Sequence, residues 1–438
     1  MPLSRRSFMG RSGAAMIAGS MASSSVWGAN ERISVGVIGC GGRGTGSHVN
    51  QFCDRDYVDL VALCDAKQDA ATGSANMMET KKKKRPKTYT DMRELLDDKS
   101  IDAVSIATPN HWHTLAAIWS MQAGKDVYLE KPCSHNVWEG RQLANAAKKY
   151  ERIIQHGTQI RSSKAVQEGI QKLKDGVIGE VYMARGLCYK TRRAVDKVPN
   201  EAPPADLDWN LWQGPAQERE YNKTIVPYNW HWYWAYGNSD MGNQGVHQMD
   251  IARWGLGVDH PSKISAMGGR FLFDDAKETP NVITTAFHYP DAGTMGRMLV
   301  FETRPFRSPE INHEAGVNVG VIFYGANGYM VIPSYSKYQT FLGEKGEPGP
   351  TNEDSDPETA HFDNFLECVK TRKAEAIAAP IVEGHISSSL CHLGLISTKL
   401  GRSLDFDPVK EQVIGDEEAN AMLTRNYRAP FTVPAIEA

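Results

Sequence analysis

The chain has 438 residues, with 49 Lys+Arg against 52 Asp+Glu, a net charge of −3. A hydrophobic content of 41% with 23% charged residues is that of a globular protein, and excludes disorder, collagen-like structure and coiled coil as the main state. The near-neutral balance excludes the basic footprint of a general nucleic-acid binder.

The first thirty residues stand apart. Ser4-Arg5-Arg6-Ser7-Phe8-Met9 is a twin-arginine pattern, followed from Ser12 to Asn30 by an uncharged stretch of small residues. That stretch is too short and too weakly apolar for a stable membrane span. A charged start, a modest apolar region and small residues form an export signal, and paired arginines are its Tat version. We therefore expect residues 1–29 to be a Tat signal, cut near Gly28 or Ala29, and the protein to be periplasmic or otherwise exported. Cleavage removes Arg5, Arg6 and Arg11 and shifts the net charge to −6. No other stretch is apolar enough for stable membrane insertion.

Next, Ile33 to Ile38 reads as a buried strand, running into Gly39-Cys40-Gly41-Gly42-Arg43-Gly44 and a helical stretch to about Cys53. A second strand, Val58 to Cys64, ends in Asp65. Thr90–Asp97 reads as helix, Ala103–Ala107 as strand, Trp112–Gln122 as helix, Asp126–Leu129 as strand and Val137–Tyr150 as helix. Alternating strands and helices predict a parallel, doubly wound sheet.

The glycines match G-x-G-x-x-G. Gly39 permits the tight turn, Gly41 lets backbone approach a pyrophosphate, and Gly44 lets strand and helix pack closely. The strand before, the helix after and Asp65 at the end of the next strand make this a dinucleotide site. Gly42 and Arg43 complete the loop. An Asp65 carboxylate accepts from ribose hydroxyls and repels a 2′-phosphate, so NAD is expected over NADP; Lys67 keeps NADP open.

Beyond about Ile154 the rhythm changes. Val181–Tyr189, Lys263–Phe273, Val282–His288, Met295–Phe301, Val317–Phe323 and Tyr329–Ile332 read as strands with few helices between the later ones, which predicts an antiparallel sheet. Ser162–Asp175, Gly245–Trp254, Glu358–Lys370 and His385–Leu400 read as helices. Gly343–Asp356 reads as an exposed loop, and Lys81-Lys82-Lys83-Lys84-Arg85 as a solvated one. The fold class is thus α/β: a Rossmann domain over 30–155, then an α+β domain with a large, mostly antiparallel sheet over 156–438. Seven scattered cysteines, without C-x-x-C, suit neither a disulfide framework nor a zinc site.

Three further segments carry a resemblance: Ala107-Thr108-Pro109-Asn110-His111-Trp112-His113, Glu130-Lys131-Pro132, and Gly245 to Trp254 with His247 and Asp250. With the glycine motif, their order and spacing resemble the Gfo/Idh/MocA oxidoreductases over about residues 31–400. The resemblance implies an NAD(P)-dependent enzyme acting on the CH–OH group of a sugar or polyol, as a homodimer or homotetramer. It places Thr108, Pro109, Asn110, His113, Glu130 and Lys131 at the cofactor. It gives Lys131 the reacting hydroxyl, and an ammonium there favours the developing alkoxide. It gives His247 the hydroxyl proton.

Asp250, three residues on, shares a helix face with His247 and is expected to orient it or to bind substrate. Many members carry an Asp where this chain has Asn243. An amide orients substrate but is no base, so the burden moves to His247; Asp240 is a steric substitute.

Trp209, Trp212, Trp230, Trp232 and Trp234, with Tyr228, Tyr233 and Tyr236, form an aromatic cluster that suits either a sugar-binding wall or core and oligomer packing. Trp230, Trp232 and Tyr236 are the candidates for substrate contact. Gln159 and Arg161, after the last strand of the first domain, are candidates for substrate hydroxyls or a carboxylate. His247 and Asp250 are too few ligands for a metal, and none is expected.

Export sharpens the expectation. Free NAD(H) is scarce outside the cytoplasm, and Tat carries folded proteins. A tightly held, self-regenerating cofactor follows. The alternatives are an NAD-dependent glycosidase, working by transient C3 oxidation and elimination, and a non-catalytic sugar-binding relative, against which Lys131 and His247 argue.

Overall fold

The computed structural model describes residues 32–309, 316–354 and 356–437. The twin-arginine segment lies outside the described residues.

The first sheet has six parallel strands in the order β3-β2-β1-β4-β5-β6. They are β1 (Ile33–Ile38), β2 (Val58–Cys64), β3 (Lys87–Tyr89), β4 (Ala103–Ile106), β5 (Asp126–Leu129) and β6 (Ile154–His156). β4 and β5 are buried at every position, as a sheet covered on both faces requires. One face packs under the helices Met92–Asp97, Asn110–Gln122 and Val137–Tyr150. The other packs under Gln68–Lys82 and a helix from the far end of the chain, Pro357–Thr371, through Phe362, Phe365 and Leu366. The C-terminal tail also returns: Phe431, Val433 and Ile436 join the first of these cores.

The second sheet has ten strands in the order β14-β13-β12-β11-β7-β10-β9-β8-β15-β16. They are β7 (Val181–Tyr189), β8 (Lys263–Gly269), β9 (Val282–Tyr289), β10 (Arg297–Arg304), β11 (Val319–Gly325), β12 (Gly328–Ile332), β13 (Lys337–Leu342), β14 (Glu347–Glu353), β15 (Leu404–Asp407) and β16 (Gln412–Val413). Only β7 and β10 run parallel. Strands β8 and β9 alternate buried and exposed positions near their shared register, so one face is core. The buried face packs on the helices Lys164–Lys174, Val246–Leu256 and Ile381–Leu400. The other face leaves Met267 at 84% and Tyr182 at 52% exposed.

Two expectations need correction. The loop expected over 343–356 contains β14, paired with β13 as an edge hairpin. Its exposed residues and two prolines hide the strand signal, and an edge strand tolerates Pro because one side of its backbone faces solvent. The strand expected over 263–273 ends at Gly269. The basic run is exposed but not all loop: Lys81 and Lys82 close the Gln68–Lys82 helix, and Lys83 is its left-handed cap.

Between β7 and the helix Val246–Leu256, residues 192–237 leave the second sheet and lie against the Rossmann domain. Gln68 N donates to Asp206 O at 2.8 Å, and Asp208 N to Ala66 O at 2.9 Å. Trp112 Nε1 donates to Leu211 O at 3.0 Å. Inside the segment, Trp212, Tyr221, Tyr233 and Tyr236 form their own small core.

Candidate active site

The C-terminal ends of β1, β2, β4 and β5 open onto a cavity of about 450 Å³. Parallel strands place ligands there because the loops and helix N-termini converge on that edge. Gly39, Gly41, Gly42, Arg43, Asp65, Thr108, Pro109, Asn110, His113, Glu130 and Lys131 all line it.

The glycine loop fits a pyrophosphate. Gly39 sits at φ +94°, where a side chain is strained. A Cβ on Gly44 would lie 1.8 Å from Gly39 O, so strand and helix close only over glycine. At Gly41 and Gly42 a Cβ would meet nothing within 4 Å, so the space before them is open to a ligand. Thr108 Oγ1 is buried there without a hydrogen-bond partner.

At the far end, Asp65 accepts from Cys40 N at 2.7 Å and Lys67 N at 2.8 Å. Burial pushes its carboxyl pKa up, opposed by those two N–H groups. Its position suits ribose hydroxyls. Lys67 Nζ lies 3.7 Å from Asp206, which draws its charge away from a 2′-phosphate. The arrangement therefore fits NAD. The 192–237 segment closes this wall with Leu211, Trp212, Val226, Pro227 and Trp230.

Arg43 and Glu130 brace the loop. Arg43 Nε donates to Glu130 at 2.6 Å, and its Nη1 lies 2.6 Å from Glu358. His48 bridges Ser105 Oγ at 2.7 Å and Glu130 at 3.1 Å. Burial opposes ionisation of Glu130, but Arg43 and His48 outweigh it and hold the carboxyl well below the usual range. His113 faces the carbonyls of Pro132 at 2.6 Å and Thr108 at 2.8 Å, tying two strand-end loops together. Asn110 Nδ2 donates to Asn238 Oδ1 at 3.0 Å.

Lys131 follows β5 and reaches across the domains, its Nζ donating to Asn243 O at 2.6 Å. Burial pushes its pKa down to about 8; Glu130 opposes the shift, while Arg43 and Lys190 add to it. Asn243 also lines the cavity; its amide donates to Tyr228 Oη and to Asp240, both at 3.3 Å. His247, one turn further on, is 3% exposed, with Nδ1 buried and unpartnered. Burial and then the Lys131 cation hold its imidazole well below its usual pKa, so it is neutral. Its ring lies 5.2 Å from that of Tyr335.

Several expectations change here. Asp250 does not hydrogen-bond His247. Both its oxygens accept from Arg161, at 2.8 and 2.9 Å, and one accepts from Ser387 at 2.7 Å. Arg161 is therefore consumed in a buried pair, with Glu383 at 3.2 Å as a second acid, and is not offered to substrate. Sequence spacing put Asp250 on the helix face of His247 but could not show Arg161 arriving from another segment. Gln159 is buried, its Oε1 without a partner, and does not line the cavity. Asp240 is taken by Arg192 in a bidentate pair at 2.8 and 2.7 Å and is no substitute base.

Of the aromatic candidates, Trp230 lines the cavity. Tyr236 is fully buried under it, and Trp232 faces a neighbouring recess, with Arg192 over its ring. Tyr228 and His231 line the cavity instead. They are three residues apart around the 3₁₀ turn Asn229–Trp232, and that spacing superimposes side chains on one face. The same spacing was readable in the sequence. Lys190 was also missed; it directly follows β7, and its Nζ donates to Gln244 Oε1 at 2.5 Å.

Comparisons with known proteins agree with this architecture. The oxidoreductase family's NAD-binding Rossmann fold matches residues 33–158, and its C-terminal α/β domain matches 159–291 and 335–433. A glycosyl hydrolase family 109 protein of Shewanella sp. strain MR-4 is 33% identical over 155 residues, 34% of each chain. The α-N-acetylgalactosaminidase of Shewanella oneidensis is 32% identical over a similar stretch. The chain spans about a third of the length of the curated relatives it matches. Among solved structures, aldose–aldose oxidoreductase from Caulobacter crescentus, complexed with glycerol, superimposes with TM-score 0.64 at 18% identity, covering 86% of this chain and 100% of that one. Levoglucosan dehydrogenase, in complex with NADH and levoglucosan, does so with TM-score 0.63 at 18% identity, covering 85% and 99%. With both family domains matched in order and the glycine loop, Asp65 and Lys131 gathered at one crevice, the chain belongs to the Gfo/Idh/MocA oxidoreductase family.

Proposed function

We propose that this protein oxidises or reduces a CH–OH group of a sugar, polyol or sugar derivative with NAD. The observation that carries this is Lys131: a half-buried ammonium, lining the nucleotide cavity and anchored on Asn243 O, within the electrostatic reach of the neutral imidazole of His247. NAD bound there supplies the hydride acceptor. The pyrophosphate would rest on Gly41 and Gly42, and the ribose on Asp65. Lys131 Nζ holds the reacting hydroxyl oxygen and stabilises the charge that develops on it. His247, being neutral, takes the hydroxyl proton. Asn243 positions Lys131 through its carbonyl. Leu211, Trp212, Pro227 and Trp230, which line the cavity, shield part of it from water. A sugar screen with His247→Ala tests the roles: loss of about 10²–10⁴ in kcat is expected, and unchanged turnover on a confirmed substrate would overturn them.

The proposed cofactor is held tightly and regenerated in place, by a second sugar or by re-reduction of the first. The wall of Leu211, Trp212, Pro227 and Trp230 over the nucleotide end supports this. Twin arginines support Tat export; Arg5→Lys with Arg6→Lys should leave the protein in the cytoplasmic fraction. The exposed Met267 and Tyr182 on the open sheet face support a homo-oligomer, which light scattering tests against Met267→Lys.

The family 109 relatives favour a second reading, an NAD-dependent glycosidase. Transient oxidation at C3 acidifies the C2 proton, and elimination then releases the aglycone. The same Lys131 and His247 serve it. Release of nitrophenol from a nitrophenyl glycoside without added cofactor would select this reading.

A further inference from the structure

We propose that His260, His385 and Glu411 form a zinc site, separate from the nucleotide crevice, that pins three distant segments of the second domain together.

The three residues come from the loop after the helix Val246–Leu256, from the first turns of the helix Ile381–Leu400, and from the turn between β15 and β16. Folding brings one ligand atom of each within 4.8 Å of the others. Both imidazoles turn the same nitrogen to the same carboxylate oxygen. Nε2 of His385 lies 2.9 Å from Glu411 Oε1, and Nε2 of His260 lies 3.9 Å from it. The side chains of His260, His385 and Glu411 are only 5%, 0% and 8% exposed.

The 3.9 Å separation of His260 from Glu411 is too long for a hydrogen bond. His260 Nε2 is nevertheless buried, and has no hydrogen-bond partner. A buried polar atom left in that state is costly. A cation held between the three groups removes the cost with little movement. Nitrogen and oxygen ligands stand about 2.0–2.2 Å from zinc, so two of them in a tetrahedron lie roughly 3.3–3.6 Å apart. The 2.9 and 3.9 Å contacts bracket that spacing. Two imidazoles with one carboxylate suit zinc, whereas magnesium and calcium call for oxygen ligands.

His385 is held for this role. A Cβ at Gly140 would lie 2.3 Å from His385 Nδ1, so the helix Val137–Tyr150 closes on that ring only over glycine. His385 Nδ1 faces Ser389 Oγ at 3.4 Å, which leaves Nε2 for the metal. Arg141, on the helix Val137–Tyr150, is the competing cation. Its Nε donates to Glu411 Oε2 at 3.2 Å, and its Nη2 donates to Oε1. A carboxylate has about four lone-pair sites and can serve both partners. Arg141 is 41% exposed and can also withdraw into solvent. Its presence weakens the site and supplies a control.

None of the three ligands lines the nucleotide cavity or the recess beside it, so the metal's role is stability and not turnover. His385 shares its stretch of helix with Glu383 and Ser387. Glu383 pairs with Arg161 and Arg253, and Ser387 donates to Asp250. Zinc would anchor the helix that carries this buried charge network.

The test uses the full, tag-free protein with NAD, stripped by a chelator and dialysed. Zinc binding is read by calorimetry, cobalt binding by visible absorption, and stability by the melting temperature. One zinc per chain should bind in the micromolar range or tighter. Cobalt should show the intense absorption of a tetrahedral ion. Zinc at about a hundred times its Kd should raise the melting temperature by at least about 3 °C. His260→Gln should abolish all three signals, with circular dichroism and the metal-free melting temperature near wild type. Arg141→Gln frees Glu411 and should tighten zinc binding at least about threefold. No zinc bound by the wild type at micromolar concentrations overturns the proposal. Zinc binding that survives in His260→Gln, or cobalt displaced by millimolar magnesium, also overturns it. An affinity unchanged or weakened in Arg141→Gln overturns the role of Glu411 as a ligand. Should His260→Gln not fold, the wild-type cobalt spectrum decides, and a weakly absorbing octahedral ion overturns the site.

Discussion

Lys131 is half-buried and His247 buried, and loss of solvent acts on both in the same direction. It makes each easier to deprotonate. The Lys131 ammonium, with its pKa near 8, must be charged to stabilise an alkoxide. Raising the pH through about 8 removes that charge, so kcat/KM for sugar oxidation should fall on the alkaline side there. The His247 imidazole must be neutral to accept a proton, and its pKa lies well below the ordinary 6.5. The acid limb should therefore lie well below pH 6.5, and a steady-state pH profile reads both limbs. Arg161 and Asp250 make a different case. The pair is buried and bidentate, and Arg161→Ala strands a charge in the core. Loss of about 3–5 kcal/mol of stability is expected from denaturant unfolding. Asp250, Arg161 and Gln159 looked like site residues because the sequence shows only their neighbours along the chain. Their partners come from segments 89 to 222 residues away, or at Gln159 Oε1 are missing.

At the scale of elements, the strand–glycine loop–helix unit was legible because each glycine answers a local demand. Gly44→Ala drives a methyl into Gly39 O and should destabilise the protein and abolish NAD binding together. Gly41→Ala meets no protein atom and should leave the melting temperature near wild type while weakening NAD affinity. Calorimetry of both variants separates the two glycine roles. β14 was not legible. Its two prolines and exposed residues carry no strand pattern, and pairing with β13 makes it a strand. Tyr228 and His231 were missed because residues 229–232 turn as a 3₁₀ helix, which brings Tyr228, Trp230 and His231 to the cavity and turns Trp232 away, a choice that an aromatic run reading as uniform does not show.

On the scale of the whole molecule, the two domains are interleaved. Pro357–Thr371 completes one face of the Rossmann sheet, the C-terminal tail packs on the other, and residues 192–237 cover the crevice. A nucleotide bound beneath that cover should leave slowly. Protein purified by gel filtration should retain stoichiometric NAD, seen by mass spectrometry of the released material. Trp212→Ala, which thins the cover, should raise the NAD dissociation rate; dissociation as fast as from an open cleft in the wild type would contradict retention.

The sequence by itself determined the parallel sheet, the glycine loop with Asp65, the strand-end position of Lys131 and the two-part architecture. Each follows from short-range rules: alternation of strand and helix, the steric demands of a tight turn, and the exposure of strand ends. The tertiary structure decided which polar residues remain free. Asp250, Arg161 and Asp240 are claimed by distant partners, while Lys131 meets a neutral oxygen across the domain boundary and Lys190 another within the second domain. Charge pairing is settled by proximity in space, and proximity in space is what a linear order of residues does not record.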